Sequence, residues 1–207
     1  MATPKFDNIA IEFMRRVPDE FVSAFTPGGA MPEGNILPKE RIVDLINRAL
    51  LRLFNQYWTA LSLKDFQTKF PELVRISSDC PIASGSYTID NPHKDFVRIL
   101  GALKKTGSVF VKVWDESKYT LVQSGKYEEY AYSAARPAAM QQEGKILYFG
   151  ETPTTIIMQY IKQPVNPETG GALTQNGTYD SPFLDHWTGK ITDIAEEIFL
   201  IETGQTT

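Results

Sequence analysis

The sequence is poor in the residues from which catalytic centres are built. Its 207 residues hold one cysteine, Cys80, and two histidines, His93 and His186. A lone cysteine excludes an internal disulfide and fits a reducing compartment, or a particle assembled in one. The histidines lie far apart in sequence and belong to no HxH, HExxH or Cys/His pattern, so no zinc site is expected. His186 follows Asp185 where a helix starts, and capping or solvation accounts for it. Cys80 shows no sign of activation and reads as a small, partly buried side chain. No GxSxG offers a serine nucleophile. The Gly/Pro-rich stretch TPGGAMPEGNIL at 26–37 has no following Gly-Lys-Ser/Thr and no preceding strand, so it reads as a surface loop, not a phosphate cradle. Lys/Arg-rich blocks are missing and the net charge is −4. That argues against a dedicated binder of nucleic acid or anionic membrane. The opening MATPKFDNIAIEF has no basic segment followed by an apolar run, and no window reaches the length of a membrane span. A soluble product made in the cytoplasm is expected. Catalytic, cofactor and metal residues: none is nominated.

What is present is a strong helical pattern. In Pro38–Leu61, Val43, Ile46, Leu50, Leu53 and Tyr57 recur at spacings of three and four, with Ile42, Ala49 and Phe54 widening the face. Glu40, Asp44, Asn47, Arg48, Arg52 and Asn55 fill the other side. Pro38 suits the first turn, and Glu40 favours the positive end of the helix dipole. A shorter amphipathic segment, Asp7–Val17, aligns Ile9, Phe13 and Val17, with Ala10 and Met14 beside them. Pro18 interrupts it, and Asp19–Phe25 reads as another turn or two. Ser62 is a plausible cap for a helix over Leu63–Phe70; Pro71 ends it or starts one more turn through Val74. Near the C-terminus, Trp187, Ile191, Ile194, Ile198 and Ile201 mark a stripe over Leu184–Glu202, with Gly204 as its stop. Glu196 and Glu197 read as the solvated face of that helix.

Between these helices the pattern changes to strands. Phe96–Leu100 and Ser108–Trp114 read as an antiparallel pair, with Lys104-Lys105-Thr106-Gly107 as the turn. Tyr119–Val122 fits a short strand or a helical start, and Glu128–Tyr132 an extended stretch. Lys145–Phe149 and Thr155–Lys162 read as a hairpin through Gly150–Pro153, with Ile156, Met158 and Tyr160 facing one way. Tyr127, Tyr130, Tyr132, Tyr148 and Tyr160 are assigned to cross-strand packing. Residues 163–182 lack periodicity and read as a long loop of the functional or interface-forming kind. Asn176-Gly177-Thr178 matches a glycosylation sequon that has no meaning in a cytoplasmic product. The fold class expected is α+β: a helical N-terminal part and a C-terminal helix around or beside an antiparallel β-rich middle. Residues 1–37 form an N-terminal helical arm and loop. Residues 38–207 form a single domain with a β-rich insertion at about 85–164.

The order of four blocks resembles that of tailed-bacteriophage head–tail connector proteins of the adaptor or neck-ring type. The first carries Ile46-Asn47-Arg48-Ala49-Leu50 and closes on Phe70-Pro71-Glu72-Leu73-Val74-Arg75. The second is the strand-rich part around Phe96–Trp114. The third runs from Ala135-Arg136-Pro137-Ala138 through Lys145–Phe149 to Met158–Pro164. The fourth is Leu184-Asp185-His186-Trp187 with Ile191, Ile194, Ala195 and Ile198. Together they span about residues 38–202, and crass-like phages are the first group to compare. The resemblance implies a structural virion protein without catalytic residues or cofactors. It implies a homo-oligomeric ring, usually twelve-fold, between the portal protein and an adjacent tail or neck ring. Such a ring extends the DNA channel, touches DNA at most transiently and without specificity, and helps hold the packaged genome. The expected location is the virion, after synthesis in the host cytoplasm, with no membrane partner. A capsid decoration or tail-completion protein is the alternative reading, and a small-ligand module or enzyme the remote one. Residues 1–37 match no part of this pattern.

Overall fold

The computed structural model describes residues 5–17, 37–77, 80–90, 93–100, 103–105, 109–114, 116–133, 136–142, 144–149, 155–173 and 180–204. The expectations for Asp19–Phe25, the loop at 26–36, the turns at 106–107 and 150–153, Ala135 and the sequon at 176–178 lie outside them. The fold class is α+β. In chain order the elements are helices α1 (Lys5–Arg16), α2 (Lys39–Ala60), α3 (Leu63–Lys69), α4 (Tyr119–Ser124) and α5 (Thr188–Thr203). The strands are β1 (Val74–Ile76), β2 (Cys80–Pro81), β3 (Ser86–Thr88), β4 (Phe96–Ile99), β5 (Leu103–Lys105), β6 (Val109–Trp114), β7 (Ala138–Gln142), β8 (Lys145–Phe149), β9 (Thr155–Ile157) and β10 (Gln159–Lys162). They divide into two compact units. One comprises Met1–Leu73, Gln163–Asn166 and Gly170–Thr207; the other comprises Val74–Lys162 and Pro167–Thr169.

In the helical unit α1 and α2 both pack on α5. The α2 stripe is buried through Ile42, Ile46, Ala49, Leu50, Leu53 and Phe54, and Leu45 joins it. Val43 and Tyr57 are half-buried at its margins. Asn47, expected on the polar side, is 5% exposed. Its carboxamide clips the chain at Leu173: Nδ2 donates to Val43 O and Leu173 O, each at 2.8 Å, and Oδ1 accepts from Leu173 N at 2.8 Å. A short amide can lie in a core when its donors and acceptor all find partners. On α1, Phe6, Ile9, Ala10, Phe13 and Met14 are buried, as is Val17 just past its end. Ser62 caps α3, its Oγ accepting from Asp65 N at 3.2 Å. Pro71–Leu73 forms a 3-10 turn and the chain is already extended at Val74. Phe70 and Trp187 stack at 4.7 Å within an aromatic layer that includes Phe66 and Phe183.

The α5 stripe needs one correction. Ile191, Ile194, Ala195 and Ile198 are buried, but Ile201 is 56% exposed, while Thr192 and Phe199 are buried in its place. With α1 and α2 as partners the buried arc centres near Ala195, and Ile201 lies about 120° round the helix from it. Glu196 and Glu197 are also more than a solvated face. Arg52 reaches Glu197 at 2.8 Å, and Arg16 lies 3.8 Å from Glu196 and closer to Asp193. Glu202 receives both Arg41 and Arg48 of α2. Gly204 ends α5 in the left-handed conformation, as expected.

The strand unit holds a three-stranded antiparallel sheet in the order β1-β10-β4 and a seven-stranded sheet in the order β2-β9-β5-β6-β7-β8-β3. All pairs are antiparallel except β6 with β7. The end strands β2 and β3 of the larger sheet are consecutive in the chain, and the link between them closes in a tight turn with an Ala83–Ser86 bridge. Ser84 and Gly85 between them have φ of 49° and 76°. Positive φ at both central positions is what a two-residue type I′ turn requires, and glycine accepts it without strain. The buried side chains of this unit gather around Cys80, Tyr87, Val111, Ala139, Ile146, Ile156 and Met158.

Several strand expectations are overturned. Lys145–Phe149 and Thr155–Lys162 do not pair: β8 lies between β7 and β3, whereas β9 lies between β2 and β5. The second run breaks at Met158, and β10 belongs to the other sheet. Ile156, Met158 and Tyr160 are all buried, so the alternation is correct; periodicity carries no information about which strand is the neighbour. Likewise β4 pairs with β10, and Lys104 and Lys105 lie in β5 against β6. Tyr119–Ser124 is helical, closed by Gly125 at φ 57°. Glu128–Tyr130 forms a turn, with Tyr130 N bonded to Tyr127 O at 2.9 Å, so the extended reading fails. Tyr127 and Tyr132 are exposed rather than packed between strands.

Candidate functional site

Alternation along β10 turns Tyr160 inward, where it is fully buried. Its register partner on β1 is Arg75. The turn before β4, closed by Phe96 N to His93 O at 3.0 Å, delivers His93 and Asp95, each 2% exposed. Cys80 on β2 is 1% exposed. Four buried polar side chains, Cys80, His93, Asp95 and Tyr160, thus converge in the strand unit, with the partly exposed Arg75 at their edge.

Their protons can be assigned in sequence. Arg75 Nη1 donates to Asp95 Oδ2 at 3.1 Å. Tyr160 OH donates to Asp95 Oδ1 at 3.0 Å. With its own proton committed to the carboxylate, the phenol oxygen accepts from His93 Nδ1–H, 3.1 Å away. That fixes the neutral tautomer and leaves Nε2 as an acceptor, 3.6 Å from Cys80 Sγ. Sγ donates to Ser77 Oγ at 3.5 Å, and the same oxygen accepts Met158 N–H at 2.8 Å. Burial pushes the His93 imidazole below its usual value. The Arg75 charge adds to this, and Asp95 and Asp90 oppose it. Burial, with Asp95 the next cause, drives the Tyr160 hydroxyl up. Burial likewise raises Tyr87, assisted by its contact with Cys80. At neutral pH the array therefore holds a neutral imidazole and two neutral phenols around one Arg75–Asp95 ion pair.

A thiol beside an oriented imidazole is also the arrangement of a cysteine nucleophile. Here the strands would have to part before a reactant touched Sγ. What the closed array does is join β1, β2, β10 and the turn before β4 through satisfied polar contacts. Sequence reading placed no role on Cys80, His93, Asp95 or Tyr160 together. Cys80 and His93 fit no ligand spacing, and the pairing that unites them is invisible before the strand order is known. Cys80 is fully rather than partly buried. His186 is exposed, its ring 5.2 Å from that of Trp187.

Two surface features complete the helical unit. Lys190 Nζ donates to Tyr57 OH at 2.8 Å, and Lys69 Nζ sits 4.1 Å from the Tyr57 ring centre. The Lys190 hydrogen bond leads the causes that lower the Tyr57 hydroxyl. An open groove of about 640 Å³ along α2 and α5 is lined by Leu51, Asn55, Gln56 and Thr59 beside Arg48 and Arg52. Both arginines already face carboxylates of α5. No group of three or more metal-ligating side chains occurs among the described residues. No helix among them is long and apolar enough to cross a membrane. No family model matches the chain, and no curated protein matches it.

Proposed function

We propose that the chain is a structural virion protein of the head–tail connector type, forming a ring between portal and tail. The observation that carries this reading is how the four resembling blocks fall on the fold. The first and last occupy α2–α3 and α5, and α2 packs along α5 in one unit. The two strand-rich blocks occupy β4–β6 and β7–β10 of the other. The blocks thus follow the order of the packed elements, with the first running past α3 into β1 and the third past β10 to Pro164. The acidic balance suits a channel wall past which DNA slides, because clustered phosphate contacts would hold it. The buried polar array satisfies its own members, which leaves no convergent set of groups for a substrate there, and we assign the protein no catalytic activity.

In this role each protomer meets its neighbours through two different patches, as closure of a ring demands. The portal protein and the next tail or neck ring are its partners, and its place is the virion. Placement as a capsid decoration or tail-completion protein is the second reading. Copy number separates them. Quantitative mass spectrometry of purified particles should find the chain at about one copy per portal subunit, roughly twelve per particle for a closed ring. Copies in proportion to the major capsid protein would replace the connector reading with the decoration one, and absence from particles would overturn both.

A further inference from the structure

We infer, resting on the ring reading above, that Tyr57, Lys69 and Lys190 form one half of a contact between copies of this chain, and that the exposed turn carrying Glu128 and Glu129 of a second copy is the other half. Tyr57, near the end of α2, is held between Phe70 and Trp187, with ring centres 5.2 and 5.7 Å away. Lys190 of α5 donates from Nζ to its hydroxyl at 2.8 Å. Lys69, the last residue of α3, lies 4.1 Å over the same ring. An ammonium has no lone pair, so the phenol oxygen accepts from Lys190 and its own O–H is left to donate outward. The charges acting on that hydroxyl are those of Lys190 and Lys69, with no carboxylate among them, although the exposed Asp185 lies in the turn before α5. Two ammonium groups and a phenolic O–H thus meet on a partly exposed surface, a donor set suited to a carboxylate. Leu184, one turn before Lys190's helix and 40% exposed, adds apolar surface to this end of the unit.

The acidic turn follows α4. Tyr130 N–H bonds to Tyr127 O at 2.9 Å, and the Tyr130 ring packs 4.7 Å from that of Trp114, against the cluster of Val122, Ala138 and Met140. The turn is therefore anchored before it meets a partner, which lowers the ordering cost of docking. Glu128 and Glu129 are exposed, with Lys126 as the neighbouring cation. Tyr127 and Tyr132 on either side are 59% and 36% exposed. Exposed tyrosines suit an interface, since the ring is buried there while the hydroxyl still finds a polar partner. Among the described residues no ion pair engages Lys69, Lys190, Glu128 or Glu129. Copies with a net charge of −4 repel one another unless patches of opposite sign meet. A ring joins two different patches of the same chain, and this chain carries both halves of a complementary pair. A nucleic-acid phosphate would satisfy the lysines but would leave the acidic turn and its tyrosines uncovered.

The test mixes unlabelled and isotope-labelled full-length protein at high concentration and low salt, with a carbodiimide as zero-length cross-linker. Peptides joining Lys69 or Lys190 to Glu128 or Glu129 should carry one label each, which makes the contact one between copies. Sedimentation then follows self-association in variants. Lys69→Glu with Lys190→Glu, or Glu128→Lys with Glu129→Lys, should weaken it by about tenfold or more, because like charges then face each other. The chain carrying all four substitutions should regain it, and added salt should weaken the wild type. Should the lysine pair not fold when reversed, the wild-type cross-links and the variant of the exposed turn decide. Cross-links only within one label, mixed links only through other residues, no links at all, or no recovery in the fourfold variant would overturn the contact. So would duplex DNA retention that is lost on reversing the lysines while self-association is unchanged, which would assign the patch to phosphates. Each of these results concerns purified protein and judges the contact alone, whereas the copy number in particles judges the ring.

Discussion

The Tyr160 hydroxyl accepts a hydrogen bond from His93 Nδ1–H, 3.1 Å away, because it donates its own proton in a hydrogen bond to Asp95. The direction of the bond is set from outside the pair, by a carboxylate that can only accept. Tyr160→Phe conserves the ring and its packing but removes both halves of this exchange. It leaves a buried N–H without its acceptor and a buried carboxylate with one partner fewer. The expected cost is about 2–4 kcal/mol, above that of an ordinary hydrogen bond because one partner is charged. Urea unfolding measures it, and a loss below about 0.5 kcal/mol would show that the array contributes nothing to stability.

Asn47→Ala should be as damaging as a core truncation, although the residue is polar and sits on a helix. The substitution strands the N–H and C=O of Leu173, which is 2% exposed. About 2–4 kcal/mol is expected for two unsatisfied backbone groups plus the lost side-chain contacts. Faster hydrogen exchange at Leu173 N in the variant would tie the loss to this clip; unchanged exchange there would contradict it.

Leu50→Ala and Ile194→Ala probe the two facing helices. Leu50 has no exposed surface and Ile194 is 8% exposed. Losses of about 2–5 kcal/mol are expected, with Ile194 toward the low end because its site can collapse or admit water more easily. Melting curves identical to the wild type for both would mean that the helical faces are misassigned.

Glu202 supplies a pH dependence whose sign can be worked out. The hydrogen bond from Arg48 is the leading cause of its lowered pKa, burial opposes it, and the charges of Arg48 and Arg41 assist. An acid whose folded value is depressed stabilises the fold above its unfolded value, and this contribution is lost as pH falls through the folded value. Glu202→Gln should therefore lower the Tm slightly at pH 7, by less than about 1 kcal/mol in stability, as befits a surface ion pair. Once the pH has fallen through the lowered Glu202 value the variant and wild type should melt together, and salt should shrink the difference at pH 7. A difference that persists in acid would assign the effect to packing.

On the connector reading proposed above, the protein purified alone should be a monomer or small oligomer that closes into a ring only against a portal template. The apolar stripes of α1, α2 and α5 are spent on one another, which leaves no large apolar face on these helices to drive obligate association. Native mass spectrometry with and without the neighbouring portal protein checks this, and a stable large ring without portal would refute it.

The elements that were legible in the sequence are those whose pattern is local. The α2 stripe, the Ser62 cap and the Gly204 stop are set within a few turns of chain, and each lies where its residues point. Strand partners were not legible. Ile156, Met158 and Tyr160 alternate inward, yet the same alternation serves two different sheets, because the break at Met158 has no marker of its own. Asn47 was misread for a related reason. Its burial depends on Leu173, more than a hundred residues away in the chain, and no helical pattern contains that partner. The Cys80–His93–Tyr160–Asp95 array is the extreme case, since each of its contacts except the nearest in sequence depends on strand order.

Val74, where the strand unit begins, is the register partner of Ile161, one residue from where its main segment ends. The two ends of the insert are therefore neighbouring strands. During synthesis the segment from Val74 to Lys162 emerges whole before α5 does, while the apolar stripes of α1 and α2 still lack the helix that covers them. Once that segment has folded, it holds Leu73 and Gln163 side by side, and what would have been a long flexible loop between α2 and α5 becomes a short one. The entropy of closing that loop, on the order of a few kcal/mol for a chain of this length, is then met by strand pairing before the helices meet. The order of birth of the segments thus favours the strand unit as the clamp on which the helical unit completes itself.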